Sequence, residues 1–412
     1  MTELPTRKAP LATNALAALI QPSATMAVTA RAKQLKAEGK AVLGFSAGEP
    51  DFRPPQPVVR AVQEYISTKA VKYAPVSGMP ALRDAAAADL AKFHGRTFER
   101  GEIMVSCGAK HCLANLMLVT LSPGDEVVIS APYWVSYPAQ VQLGGGTPVI
   151  VNASKQHGLR VQPEDLERVL SPRTKYVLLN SPSNPTGVGY TAEQIRALGE
   201  VVVRKAPQAW FLCDDIYRHL TYDGFEQVSA YRALSDLTEQ FVFADGVSKS
   251  HAMTGFRIGF LAAPKQVIAA AGRIQGQMTS GATTTSQIAA IAALTDPACA
   301  AAMAEMRAAF ARRRALMLEG LRAIPGVSVP TPDGAFYVFA DVSQHVGEGT
   351  QFADDLALAT WLLDEKLVAT VPGTAFGAPG NLRISYATDD ASLREGVARL
   401  HEAFSSFPTA RG

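Results

Sequence analysis

The chain has 412 residues, 48% of them apolar and 18% charged, with a formal net charge of +2. That length holds two or three domains of ordinary size with a large buried core, and so apolar a composition excludes a disordered chain. The near-neutral balance leaves no electrostatic footprint for nucleic acid or an anionic membrane, and 32 glycines with 26 prolines are ordinary usage rather than a low-complexity signal.

The chain opens on Arg7 and Lys8, followed by a short apolar stretch broken by Thr13 and Asn14. No small-residue cleavage pattern follows, so this segment reads as an arm, not a secretory signal. No apolar run reaches the ~18 residues of a membrane helix. From about residue 100 to 265, β-rich runs at 103–106, 126–130, 148–151, 176–180, 210–213, 241–244 and 258–262 alternate with helix-like segments such as 109–121 and 191–205. Several runs are continuously apolar, as strands buried on both faces are. Thr191 and Gln194 form a capping box at the start of the second helix. The alternation predicts an α/β fold with a mostly parallel sheet wrapped by helices. Beyond it come a long helix at 298–323, a strand at 336–340, a helix at 351–364, strands at 367–371 and 382–386, and a last helix at 390–404, which together predict a smaller α+β unit. The four cysteines (Cys107, Cys112, Cys213, Cys299) are too scattered for a disulfide framework and form no zinc pattern with nearby histidines. They read as thiols of a reducing cytoplasm, and no metal is expected.

Six short strings carry chemistry. Lys249 lies just past the run 241–244, where α/β sheets place ligands. A lysine there can form a Schiff base with an aldehyde, and desolvation favours its neutral amine. Arg257, eight residues on, can clamp a phosphate. Alone, one lysine and one arginine prove little, and surface charge is the readier account of them. Ser106-Cys107-Gly108-Ala109-Lys110-His111 joins a strand to a helix start, which is either an anion site or an ordinary turn. Pro132-Tyr133-Trp134-Val135-Ser136-Tyr137-Pro138 offers the wide π-face of Trp134; a core position is the alternative, as for Trp210 and Trp361. Asn180-Ser181-Pro182-Ser183-Asn184-Pro185-Thr186-Gly187 is a loop signal. Asp214-Asp215-Ile216-Tyr217 follows a strand, and alternation turns only one of the two acids toward a site; a solvated turn is the alternative. Arg383 interrupts a β-like run, where its fork of donors needs a carboxylate, from a substrate or from a structural ion pair.

The string SKSHAMTGFRIG at 248–259 resembles the Schiff-base lysine motif of class I pyridoxal-phosphate aminotransferases, the fold-type I family, and the other strings follow in that family's order. The resemblance implies that Lys249 holds the aldehyde of pyridoxal 5′-phosphate and Arg257 its phosphate, with Gly108, Ala109 and Lys110 around the phosphate. Some members place a serine where this chain has Gly246, which leaves Ser248 as the weaker donor. Trp134 then stacks on the pyridine ring. Asn184 donates to the phenolic oxygen and helps hold the substrate carboxylate, and Tyr217 bonds the same oxygen. Asp214 keeps the pyridine nitrogen protonated, so that the ring acts as an electron sink. Arg383 binds the substrate α-carboxylate. Gly48, in a string resembling the G-E-P-D-F loop, lets the backbone approach the substrate. Tyr73, in Lys72-Tyr73-Ala74-Pro75, matches a tyrosine that reaches the phosphate of a neighbouring subunit.

Those motifs imply a seven-stranded fold-type I domain at 54–297 and a small domain at 298–412, with 1–53 as an arm and part of the small domain. They also imply a cytoplasmic homodimer with shared sites. The implied activity is ping-pong transfer of an amino group from an L-amino acid to a 2-oxo acid. Aspartate and 2-oxoglutarate are the expected pair, because the nearest likeness is to bacterial aspartate aminotransferases with K-P-S-A-T and V-G-G-K-Q strings. In that subgroup the lysine matching Lys110 meets the distal carboxylate. Gln21 replaces the first lysine, which is implicated in prephenate use. Aromatic, kynurenine-type or prephenate transamination and a non-catalytic cofactor sensor are the alternatives.

Overall fold

The computed structural model describes residues 11–20 and 24–407. Arg7, Lys8 and Gln21 lie outside the described residues. Twelve strands occur among the described ones: β1 (Leu43–Gly44), β2 (Ile103–Cys107), β3 (Glu126–Ala131), β4 (Thr147–Asn152), β5 (Thr174–Asn180), β6 (Trp210–Asp214), β7 (Phe241–Gly246), β8 (Ile258–Ala262), β9 (Tyr337–Asp341), β10 (Val368–Ala369), β11 (Val371–Pro372) and β12 (Asn381–Ser385).

Seven strands make one sheet in the order β2-β8-β7-β6-β5-β3-β4. It is the α/β sheet expected from the sequence, parallel except for β8, which runs antiparallel to β2 and β7. Both faces are apolar because successive side chains point to opposite sides. Val105, Val128, Val177, Phe211 and Phe243 join one core with the helices Pro80–His94 and Ala192–Lys205. Met104, Ile129, Leu178, Leu212 and Val242 join another with the helix Ala109–Thr120. Each fully buried side chain of this size is worth about 1.5–3 kcal/mol, which explains the continuous apolar runs. The capping box at Thr191 is present, with Thr191 Oγ1 accepting from Gln194 N at 3.3 Å and Gln194 Oε1 from Thr191 N at 2.9 Å.

A smaller antiparallel sheet, β11-β12-β9, packs with the helices Cys299–Arg322, Asp355–Glu365 and Asp390–Ser405. Its core also takes in Phe45, Ile216, Tyr217 and Leu220, so the chain near residue 45 and the turn after β6 belong to the same packed unit. Two expectations need correction. The helix predicted from 351 starts at Asp355, because the Asp354 carboxylate accepts from Ala357 N at 2.8 Å and caps it there. The single strand predicted at 367–371 is two: β10 pairs with β1 and β11 with β12, since its two ends face partners in different sheets. Among the described residues, no single helix is long and apolar enough to cross a membrane.

Beneath the turn after β6 lies a buried charge cluster. Arg218 Nε donates to Asp245 Oδ2 at 2.6 Å, and the same guanidinium pairs with Asp89. Side-chain exposure is only 6% for Arg218 and 3% for Asp245. Removing one member of a buried pair strands the other charge. Arg218→Met is therefore expected to lower stability by about 3–5 kcal/mol in chemical denaturation, and adding Asp245→Asn should recover part of that. A loss under about 1 kcal/mol would show that the cluster is readily rehydrated.

Candidate active site

Strand register brings the chemistry-bearing strings to one rim. Asn180 lies opposite Asp214, Asp214 opposite Ala244, Gly246 opposite Gly259 and Cys107 opposite Ile258. The ends of β2, β5, β6 and β7 and the start of β8 thus meet at one edge, the crevice where open α/β sheets bind ligands. Gly259 is required there: a Cβ on it would stand 2.1 Å from Ala109 N. That contact sets β8 directly against the strand–helix turn at 107–109.

The rim opens on a cavity of about 530 Å³ lined by Gly48, Ala109, Lys110, Trp134, Asn184, Asp214, Tyr217, Ser248, Lys249, Arg257 and Arg383, with Tyr137, Asn180 and Tyr337 among the remaining lining residues. The Lys249 ammonium donates to Gly48 O at 2.5 Å. Burial pulls its pKa down to about 8; Arg257 and Arg383 add to the fall, while Glu49 and Asp214 oppose it. Asp214, at the end of β6, accepts from the Tyr137 hydroxyl at 2.7 Å and from Ile216 N at 3.3 Å. Burial lifts its carboxyl to about 6 despite those two bonds. Asp215 turns away, as strand alternation requires, and lies 3.9 Å from His94 Nε2. Burial holds that histidine neutral, at about 3, and raises Asp215 as well, so this contact is not an ion pair.

At one end of the cavity, Gly108 precedes the helix Ala109–Thr120 with φ at +83°, and a Cβ on it would come 2.7 Å from an Arg257 guanidinium nitrogen. Arg257 donates to Thr254 O at 3.0 Å and to Cys107 O at 3.3 Å. Helix N–H groups and a guanidinium therefore converge on a cup shaped for an anion. Lys110 Nζ lies 5.0 Å from the Trp134 ring centroid, and burial followed by the nearby Arg257 lowers its pKa. At the other end, Arg383 is fully buried, donating to Asn184 Oδ1 at 3.0 Å and to Ser46 O at 2.7 Å, while its Nε has no partner. Its partners are neutral oxygens, so the ion-pair reading of the sequence does not hold. Trp210 and Trp361 are only partly buried and pack at the edges of cores. Of the expected site residues, Gly108 borders the cavity beside Arg257 without lining it, and Tyr73 lies outside it, 92% exposed on the surface.

Tyr137, Asn180 and Tyr337 are among the cavity residues that the sequence reading did not assign. Tyr137 follows Trp134 by three residues, and that helical spacing was its only signal. Asn180 closes the Asn184 loop: its Oδ1 accepts from Asn184 N at 3.0 Å, and its Nδ2 donates to Asp214 O at 2.8 Å. Tyr337 comes from β9, in the smaller sheet, and nothing in its local string marks it.

Comparison with known proteins agrees with this geometry. A family model described as aminotransferase class I and II matches residues 40–400. The aspartate/prephenate aminotransferase of Cereibacter sphaeroides is 44% identical over 93% of this chain and 96% of its own length. The aspartate aminotransferase of Geobacillus stearothermophilus is 44% identical with the same coverage. The structure of the Thermus thermophilus aspartate aminotransferase with maleate superposes with a TM-score of 0.89 at 38% identity, covering 95% of this chain and 100% of that one. With a family model spanning most of its length and relatives this similar end to end, the chain belongs to the class I and II aminotransferases.

Proposed function

We propose that this enzyme moves the amino group of an L-amino acid, aspartate by preference, to a 2-oxo acid such as 2-oxoglutarate in two half-reactions, with pyridoxal 5′-phosphate as the carrier. The observation that carries this reading is the convergence of half-buried Lys249 with buried Asp214 and Arg383 in one cavity. The residues present fit the cofactor. Gly108 leaves open a cradle that a Cβ would fill beside Arg257, and amine, carboxylate and anion cup are the three groups that an aromatic aldehyde phosphate calls for. Gly108, Ala109, Ser248 and Arg257 would hold the phosphate, Trp134 the ring face, Asn184 and Tyr217 the phenolic oxygen, Asp214 the ring nitrogen and Lys249 the aldehyde. When bound, the cofactor supplies an electron sink for the negative charge left by removal of the α-proton.

The protein's own part follows from these positions. Lys249, neutral in a fair share of molecules near pH 8, takes the α-proton at Nζ and returns it on the far side of the transfer. Arg383 receives the α-carboxylate with donors already aimed by Asn184 and Ser46 O, so little reorganisation is needed. Lys110, beside Trp134, meets a distal carboxylate. The preference for aspartate draws support from the names of the relatives. A homodimer is proposed because Tyr73 (92%), Met278 (58%) and Ile66 (53%) leave large apolar side chains exposed.

Borohydride reduction of the loaded enzyme is expected to fix pyridoxyl on Lys249, read by peptide mapping. The rate at which unloaded protein captures the cofactor should rise with pH about a midpoint near 8, because only the neutral amine attacks. A midpoint near 10 would place the reacting amine in water and sink the assignment.

Lys110→Ala should weaken aspartate and glutamate by about 1.5–3 kcal/mol, the worth of a hydrogen bond to a charged group, or roughly ten- to a hundredfold in kcat/KM. Alanine and phenylalanine should lose far less, whereas Arg383→Ala should harm all four. Equal losses from Lys110→Ala across the set, with weaker cofactor retention, would assign Lys110 to the phosphate alone.

Mixing inactive Tyr73→Phe and Lys249→Ala chains should restore activity through hybrids in which one of two shared sites is intact. No recovery after verified subunit exchange would mean that each site is built from one chain.

A further inference from the structure

Arg383 and Tyr217 both line the cavity, and one side chain touches both. Tyr337 is fully buried at the start of β9. In the β9–β12 ladder, Ser385 lies opposite Tyr337 and Arg383 opposite Phe339. The diagonal between neighbouring strands is within reach of long side chains, and it sets Arg383 Cζ 4.6 Å from the centroid of the Tyr337 ring. Phe376 takes another position at 5.0 Å. Both distances fall inside the ~6 Å range of a cation–π contact. Two aromatic rings and two neutral oxygens therefore surround a buried cation that elsewhere would need a carboxylate.

The hydroxyl faces the other way. Tyr337 Oη lies 2.8 Å from Tyr217 Oη. Each phenol carries one proton, so only one of the two donates in this bond. For Tyr217 to give its proton to a ligand oxygen, Tyr337 must be the donor, and the bonds then run Tyr337 to Tyr217 to ligand. Receiving a bond makes Tyr217 the stronger donor. The loop that offers Ser46 O to Arg383 and Gly48 O to Lys249 closes over this hydroxyl: a Cβ on Gly48 would sit 3.0 Å from it.

We propose that Tyr337 is a positioning residue that couples two groups of the site, its hydroxyl directing the Tyr217 proton and its ring face seating the Arg383 guanidinium. The proposal rests on the roles given above to Tyr217 and Arg383. Its two halves separate by substitution, because Tyr337→Phe removes the hydroxyl and keeps the ring, whereas Tyr337→Leu removes both.

The test uses the cofactor-loaded enzyme and two readouts other than turnover: the pH midpoint of the visible absorbance, and the Kd of maleate, an unreactive dicarboxylate. Removing a donor from an anionic oxygen leaves more negative charge to hold a neighbouring proton, so Tyr217→Phe should raise the midpoint. Tyr337→Phe should raise it less, by roughly 0.3–1 pH unit, with maleate affinity within about twofold of the parent. The double variant should shift no further than Tyr217→Phe alone, since the two residues act in series. Tyr337→Leu should also weaken maleate roughly three- to thirtyfold; if it does not fold, Tyr337→Met carries the same test. A midpoint unmoved by Tyr337→Phe, or shifts that add in the double variant, overturns the hydroxyl half. Unchanged maleate affinity in the ring-deleted variant overturns the other. If Tyr217→Phe leaves the midpoint alone, or Arg383→Ala binds maleate normally, the underlying roles fail first and the proposal falls with them.

Discussion

Taking an amine and a carboxylate out of water together is the constraint on which the rest of the cavity depends. Burial disfavours the charged form of each group, so the two are driven toward each other: Lys249 falls from 10.5 to about 8, and Asp214 rises from 3.8 to about 6. An exposed pair would stay near its usual values, with a lysine too protonated to act as a base at neutral pH. Asp214 nonetheless has to be held in place, and the bonds from Tyr137 and Ile216 N do so while pulling its pKa back toward the ordinary carboxylate range.

Such dryness takes two packed units. The seven-stranded sheet supplies Lys249, Asp214 and the anion cup, and the smaller sheet supplies Arg383 and Tyr337. The chain near residue 45 closes the space between them. β1 pairs with β10, Phe45 enters the core of the smaller unit, and the carbonyls of Ser46 and Gly48 accept from Arg383 and Lys249. A carbonyl oxygen serves well there, because it satisfies a buried cation without fixing it in a full ion pair. Arg218, Asp245 and Asp89 form the contrasting case beneath the turn after β6: charges paired with one another rather than with neutral oxygens. Asp245 does reach Asp214 through space, raising its pKa.

The seven main strands were legible because each is an apolar run wedged between helices, and burial on both faces leaves no alternative to such a run. Lys249, Asp214, Asn184 and Arg257 could be singled out because each stands beside one of those runs in a short string that resembles a family motif. The fate of 367–371 was not, since a five-residue apolar stretch says nothing about which neighbour each end will find. Neither was the start of the helix at Asp355, where a single capping bond overrode the longer periodic pattern.

By itself, then, the sequence determined the α/β class and the order of the strands along the chain, both consequences of local pattern, and its resemblance to a family singled out candidate side chains. Tertiary structure decided what those side chains can do. Two adjacent acids are alike in sequence, and only the register of β6 sends Asp214 into the cavity and Asp215 toward His94. Tyr337 lies 120 residues from Tyr217 along the chain, yet their hydroxyls meet at 2.8 Å. An arginine in a strand is an ordinary oddity until two rings and a loop carbonyl surround it. Desolvation and hydrogen-bond direction belong to the packed surroundings rather than to any one residue, and those surroundings exist only once distant segments have folded together.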